Sequence, residues 1–178
     1  MAVDPRGPRR PARTGRSRSL RYTVDASVFV NAFNPHEQGH AASLEILSAI
    51  HQDSDPVVVP TLLLPEIAAA VARASDDGAG ARQYADATAA LPHLTLVSLT
   101  PAMARQAADL AATHRLRGAD AVYVAVARRY GTTLVSRDKA QRSRGSAVVT
   151  CQTPEEALRA RRMARPAPSR GRRGRARD

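Results

Sequence analysis

The sequence predicts an α/β protein, a three-layer α/β/α sandwich around a central parallel sheet. Two observations carry the prediction. Short β-rich stretches alternate regularly with helical ones, the pattern of parallel strands joined by crossover helices. A length of 178 residues with 43% apolar side chains suits one core of ordinary domain size. A third observation ties that fold to a site: acids stand directly after strands, and open parallel sheets build their sites beyond the carboxyl ends of the strands.

The elements follow in order. "LRYTV" (20–24) reads as a first strand ending at Asp25, after which "ASVFVNAF" turns into a helix. Residues 37–51 carry Ala41, Leu44, Ile46, Leu47 and Ile50 at mostly helical spacing, and "DSDP" stops them. "VVV" (57–59) predicts a second strand, and Thr61 is placed to cap the helix "LLLPEIAAAVARAS", whose Pro65 lacks an amide hydrogen and tightens the first turns. A helix over 79–90, the strand "LTLVSL" (94–99) and an amphipathic helix over 101–115 come next. "ADAVYVAVARRYG" is β-branched enough for a strand, but its ends decide for a buried helix. Asp120 sits at the N-cap, Arg128 and Arg129 occupy the last turn, and Gly131 supplies a left-handed C-terminal residue. "TTLVS" (132–136) predicts a strand, "RDKAQ" a turn or short helix, "AVVT" (147–150) a last strand, and "TPEEALRARR" a closing helix.

The formal net charge of +11 is not spread evenly. Residues 1–21 carry +6 and residues 159–178 carry +8, so the stretch between Tyr22 and Leu158 is mildly acidic at −3. Both ends are mixtures of Pro, Gly, Ser and Arg with little to bury, which divides the chain into a disordered tail over 1–20, a folded domain over 21–158 and a second Arg-rich tail over 159–178, disordered after the last helix. Such tails attract polyanions through loose, salt-dependent contacts, or merely solubilise. Cys151 stands alone, which excludes an internal disulfide and a thiolate metal cluster. No apolar run approaches the ~20 residues that span a bilayer, and Arg9 and Arg10 are not followed by a signal-peptide core, so a cytoplasmic protein without a membrane role is expected.

Four acids are candidates for chemistry. Asp25 and Asp138 follow strands that end at the same rim of a parallel sheet, Asp120 opens a helix, and Glu66 lies among Leu62, Leu63, Leu64 and Ile67, where a buried carboxylate needs a charge partner. Taken singly, Asp25 and Asp120 also read as helix caps, Glu66 as the partner of a buried arginine, and Asp138 as a turn residue. Taken together they repel unless a cation holds them, and oxygen-only ligands favour Mg²⁺ or Mn²⁺ over zinc. A competing motif is "HEQGH" (36–40), the pattern in which two histidines hold zinc and Glu37 acts as base. Pro35 starts any helix there at about His36, so both ligands fall in a first turn whose dipole disfavours a cation, and Gly39 weakens the helix further.

"VDASVFV" around Asp25, "PTLLLPEIAAAVAR" around Glu66, "LRGADAVYVAVARRYGTTLVSRD" with Asp120 and Asp138, and "AVVT" after them resemble the PIN-domain ribonucleases, most closely the VapC-type toxins of toxin–antitoxin pairs. The resemblance spans roughly residues 22–152. It implies a PIN-like α/β/α sandwich with an acidic metal pocket, Mg²⁺-dependent endonucleolytic cleavage of RNA to 5′-phosphate and 3′-hydroxyl ends, a cognate antitoxin protein as partner and a homodimer. It also implies Asp25 and Asp120 as direct metal ligands, with Glu66 and Asp138 completing the pocket and Ser27 and Ser136 orienting an acid or water. Arg117, Arg137 and Arg142 are candidates for RNA contact. The two tails and Pro65 directly before Glu66 depart from the family's pattern. A catalytically silent RNA-binding module and a zinc peptidase are the alternatives.

Overall fold

The computed structural model describes residues 20–164. The first tail expected over 1–20 lies outside the described residues apart from Leu20, and so does the second from residue 165 onward.

Five parallel strands form one sheet: β1 (Tyr22–Val24), β2 (Val57–Pro60), β3 (Leu94–Val97), β4 (Thr133–Val135) and β5 (Cys151–Gln152), in spatial order β3-β2-β1-β4-β5. The register pairs Tyr22 with Val57 on one side and with Thr133 on the other. Val24, Val59, Leu134 and Val135 are fully buried, as expected of a parallel sheet covered on both faces. Thr23 is buried with them because its hydroxyl is satisfied by the Val58 carbonyl at 2.8 Å and the Thr132 hydroxyl at 2.7 Å.

Among the described residues seven helices lie between the strands and an eighth follows β5: α1 (Ala26–Phe33), α2 (His40–Gln52), α3 (Leu63–Ser75), α4 (Gly78–Ala89), α5 (Pro101–His114), α6 (Gly118–Tyr130), α7 (Lys139–Gly145) and α8 (Pro154–Ala164). The chain steps outward from β1 to β3, then crosses back through α5 and α6 to place β4 on the other side of β1. With right-handed crossovers, that reversal puts the two sets of helices on opposite faces and opens a crevice beyond the ends of β1 and β4. The α/β/α prediction therefore stands, with α6 as its buried helix: Ala121 to Ala127 are all buried and Gly131 closes the helix at φ 62°.

Three local expectations are corrected. "AVVT" is not a strand: the Val148 and Val149 amides both donate to the Gly145 carbonyl in a turn that ends α7, so sheet pairing starts only when the Thr150 carbonyl accepts from Leu134. Thr61 does not cap α3; Leu62 is its N-cap, with no side-chain hydrogen bond, and Pro65 occupies the first turn, where its missing amide costs nothing. Asp120 is not the cap of α6, since Arg117 holds that position and Asp120 lies inside the first turn. The closing helix expected from "TPEEALRARR" is α8, which runs to Ala164 and buries Arg161 to 4% exposure.

The burial of Arg161 is made possible by its partners. Its guanidinium donates to Asp53 and Asp55, to the Ala49 carbonyl at 2.9 Å and to the Tyr22 hydroxyl at 3.3 Å, tying α8 to the end of α2 and to β1.

Candidate active site

Asp25 directly follows β1 and caps α1. Its Oδ2 accepts from the Ser27 amide at 2.9 Å and its Oδ1 from the Gln141 side-chain amide at 3.2 Å. The cap reading therefore holds for this carboxylate, which is 8% exposed. Asp138 caps α7 in the same way, accepting from the Gln141 backbone amide at 2.9 Å. Glu66 lies in the first turn of α3, and its Oε2 accepts from the Tyr123 hydroxyl at 2.7 Å. Asp120 comes from the first turn of α6.

The structure brings all four acids together. Asp25, Glu66, Asp120 and Asp138 line one groove of about 500 Å³, floored by Ala26 and Ser27 and walled by α3. Burial pushes the Asp25 carboxyl above its ordinary range, hydrogen bonds from Ser27 and Gln141 oppose the rise, and the charge of Asp138 adds to it. Glu66 is raised by burial, with the Tyr123 hydroxyl opposing and Asp25 and Asp120 adding. Asp120 is raised by burial and then by Asp138 and Asp25, against the pull of Arg117. Asp25, Glu66 and Asp120 are thus each raised in part by a neighbouring carboxylate, the condition that a bound cation relieves.

The donor set fits a hard cation. It is all carboxylate oxygen, with no imidazole or thiolate. Among the described residues no three His, Cys, Asp or Glu side chains converge into a ready-made cage. Mg²⁺ suits such a loose arrangement, because it keeps several of its waters and takes only one or two carboxylates.

Both serine hydroxyls accept backbone amides, and the Ser27 side chain also acts on Asp25, whose rise it opposes. Ser136 is fully buried and its hydroxyl accepts the Asp138 amide at 3.0 Å, while the Ser27 hydroxyl accepts the Arg137 amide at 3.1 Å, so together they fix the loop that carries Asp138. All three arginines expected at the RNA have partners within the protein. Arg137 donates to the Gln38 carbonyl at 2.8 Å and pairs with Glu155 at 3.6 Å, and Arg142 donates to the Ser136 carbonyl at 2.7 Å. Arg117 is 76% exposed and reaches Asp138 at 3.5 Å.

Three neighbours of the acids are not marked by any motif. Tyr123 lies one turn after Asp120 and Gln141 one turn after Asp138, so helical spacing from each acid is the signal that points to them. Arg73, two turns beyond Glu66 on α3, also lines the groove.

"HEQGH" is a loop rather than a zinc helix. α2 begins only at His40, after Gly39 at φ 83°, so His36 and His40 do not share a helical face. Glu37 accepts from the Asn31 side-chain amide at 3.0 Å, His40 Nδ1 meets the Asn31 carbonyl at 3.0 Å, and the Ser43 hydroxyl donates to Asn31 at 2.7 Å. These polar atoms hold the α1–α2 connection to buried Asn31.

The family model described as PIN domain matches residues 22–146. No curated protein sequence matches the chain. Among solved structures, the Mycobacterium tuberculosis toxin VapC20, described as cleaving the sarcin–ricin loop, superposes with a TM-score of 0.59 at 20% identity, covering 68% of this chain and 93% of that one. A chain of VapBC2 from Rickettsia felis, bound to a promoter DNA fragment, gives 0.57 at 13% identity over 75% of this chain and 98% of its own. A toxin–antitoxin complex from Klebsiella pneumoniae gives 0.54 at 16% identity over 76% and 98%. At these identities the likeness is one of fold.

Proposed function

The chain belongs to the PIN-domain family, and from that premise we propose that it is a metal-dependent endoribonuclease, the toxin of a toxin–antitoxin pair. The observation that carries the reading is the convergence of Asp25, Glu66, Asp120 and Asp138, from four separate elements, on one groove where neighbouring carboxylates raise the proton affinity of Asp25, Glu66 and Asp120.

Asp25 and Asp120 are the proposed direct ligands of Mg²⁺, or of Mn²⁺, with Asp138 and Glu66 completing the pocket. When bound, the ion supplies Lewis-acid activation of water and of a phosphodiester oxygen. The chain's own residues do the rest. Gln141 and the Ser27 amide hold both oxygens of Asp25 in place. Tyr123 holds Glu66 Oε2, which leaves Oε1 to orient the attacking water for in-line displacement at phosphorus. No side chain forms a covalent intermediate, and the ends produced are 5′-phosphate and 3′-hydroxyl.

The test is incubation of the purified protein with total RNA in Mg²⁺ or in EDTA, beside Asp25→Asn. Cleavage is expected only for the unaltered protein in Mg²⁺; cleavage that survives both EDTA and the substitution sinks the reading. RNA binding without cleavage in Mg²⁺ favours a silent binding module instead. A cognate antitoxin is supported by the toxin–antitoxin complexes that share the fold. It is tested by co-purification with the product of an adjacent gene, and the homodimer by light scattering on the eluted protein.

A further inference from the structure

The carboxylate groove does not end at the acids. α3 forms one wall of it through Pro65, Glu66, Ala69, Ala70 and Arg73, a stripe at helical spacing that runs away from the acids toward the end of the helix. Seven residues separate Glu66 from Arg73, which is two turns, or about 10.5 Å along the axis. A stacked strand advances about 3.4 Å per base. Arg73 is thus placed roughly one to three nucleotides from a phosphate held at the acids, allowing for the length of its own side chain.

Charge makes that position matter. A groove that gathers four carboxylates repels the polyanion it is proposed to cut. Three arginines near the acids are occupied: Arg117 pairs with Asp138, Arg142 with the Ser136 carbonyl, and Arg137 with Gln38 and Glu155. Arg73 is exposed, lines the groove, and has no hydrogen-bond or ion-pair partner among the described residues. Between it and Glu66 the wall carries only small alanines and no aromatic platform for stacking a base, which favours backbone contact over base contact.

We propose that Arg73 is a substrate-positioning residue that binds a phosphate flanking the scissile one, so that the bound strand runs along α3 from the acids toward the end of that helix. This rests on the nuclease reading of the same groove. The plain alternative is that Arg73 only complements the dipole in the last turn of α3.

Salt dependence separates the two. The full-length protein binds a fluorescently labelled single-stranded RNA in Ca²⁺, which replaces Mg²⁺ to slow cleavage, and affinity is followed between about 50 and 200 mM salt. Each phosphate of a single strand that is no longer neutralised by the protein lowers the log–log slope by about 0.7. Arg73→Gln is expected to weaken binding severalfold and to lower the slope by that amount, and Arg73→Lys to keep the slope. Arg105→Gln, which removes an equal charge from α5 outside the groove, is expected to leave the slope where it was. An unchanged slope in Arg73→Gln, or an equal fall in Arg105→Gln, overturns the proposal. Unaltered protein that cleaves RNA in Mg²⁺ while Arg73→Gln keeps its slope overturns the Arg73 inference alone. Unaltered protein that neither binds nor cleaves single-stranded RNA overturns the nuclease reading and the inference with it.

Discussion

Replacing Arg161 by Met keeps most of the aliphatic stem and removes the guanidinium from a nearly sealed site. Asp53 and Asp55 then lose their shared cation, and the Ala49 carbonyl and Tyr22 hydroxyl each lose a donor. Removing one partner of a buried ion pair costs about 3–5 kcal/mol, because the remaining charge stays poorly solvated. Here the Asp53 and Asp55 side chains keep 25% and 14% of their exposure and can rehydrate in part, which places the cost near the lower end, about 3 kcal/mol. For a chain of this size each kcal/mol lowers Tm by about 2–4 °C, so a fall of about 6–12 °C is expected. Thermal unfolding followed by circular dichroism reads it, with urea unfolding as the check on free energy. A fall of under about 2 °C would mean that the pair is no better than a surface one and would refute the reasoning. The same logic predicts that a chain cut after Leu158 unfolds far more readily than one cut after Ala164.

Gln141→Leu removes the donor to Asp25 and is expected to reduce cleavage or Mg²⁺ affinity roughly 10–100-fold with the fold intact, as measured by titration of Mg²⁺ against RNA cleavage. Asp25, Glu66 and Asp120 are all raised, so in EDTA each contributes stability that is fully present at acid pH and is lost as pH rises through the folded-state value. Asp120→Asn should therefore gain in Tm relative to the unaltered protein as pH rises above about 4, and Mg²⁺ should shrink the difference; a difference that is flat with pH contradicts this. Removing residues 1–19 and 165–178 should leave the melting curve nearly unchanged but weaken RNA binding, lowering its salt slope by about 0.7 for each phosphate that the tails had neutralised. Equal affinity and slope after truncation would make the tails mere solubilising segments.

The order of elements was legible because the chain states it twice, in hydrophobic period and in punctuation. Asp25 after "YTV" and Gly131 after "ARRY" mark a strand end and a helix end by residue chemistry alone. "AVVT" misled because β-branched composition cannot tell a strand from a turn packed against the core, and there the Gly145 carbonyl captured both valine amides. The acids of the groove were legible since Asp25 and Asp138 follow strands while Glu66 and Asp120 open helices. The metal-peptidase motif dissolves because Asn31 binds both its glutamate and its second histidine. What composition could not reveal was commitment. Arg137, Arg142, Arg161 and Arg73 look alike in one dimension, yet three are held by partners within the fold and the fourth lines an open groove. The same holds for Gln141, whose value lies in a contact 116 positions away.

The central place of β1 also sets the order in which the protein can come into being. Its neighbour β4 is made last but one of the strands, and Asp138 follows Asp25 by more than a hundred residues. A ribosome adding about 5–20 residues per second needs roughly ten seconds to cover that interval. Until then the nascent chain has a first strand with one edge open and at most three of its four acids, and a message truncated anywhere before Asp138 encodes a product that lacks part of the groove. On the nuclease reading, such a chain is inert toward its own template for most of its synthesis.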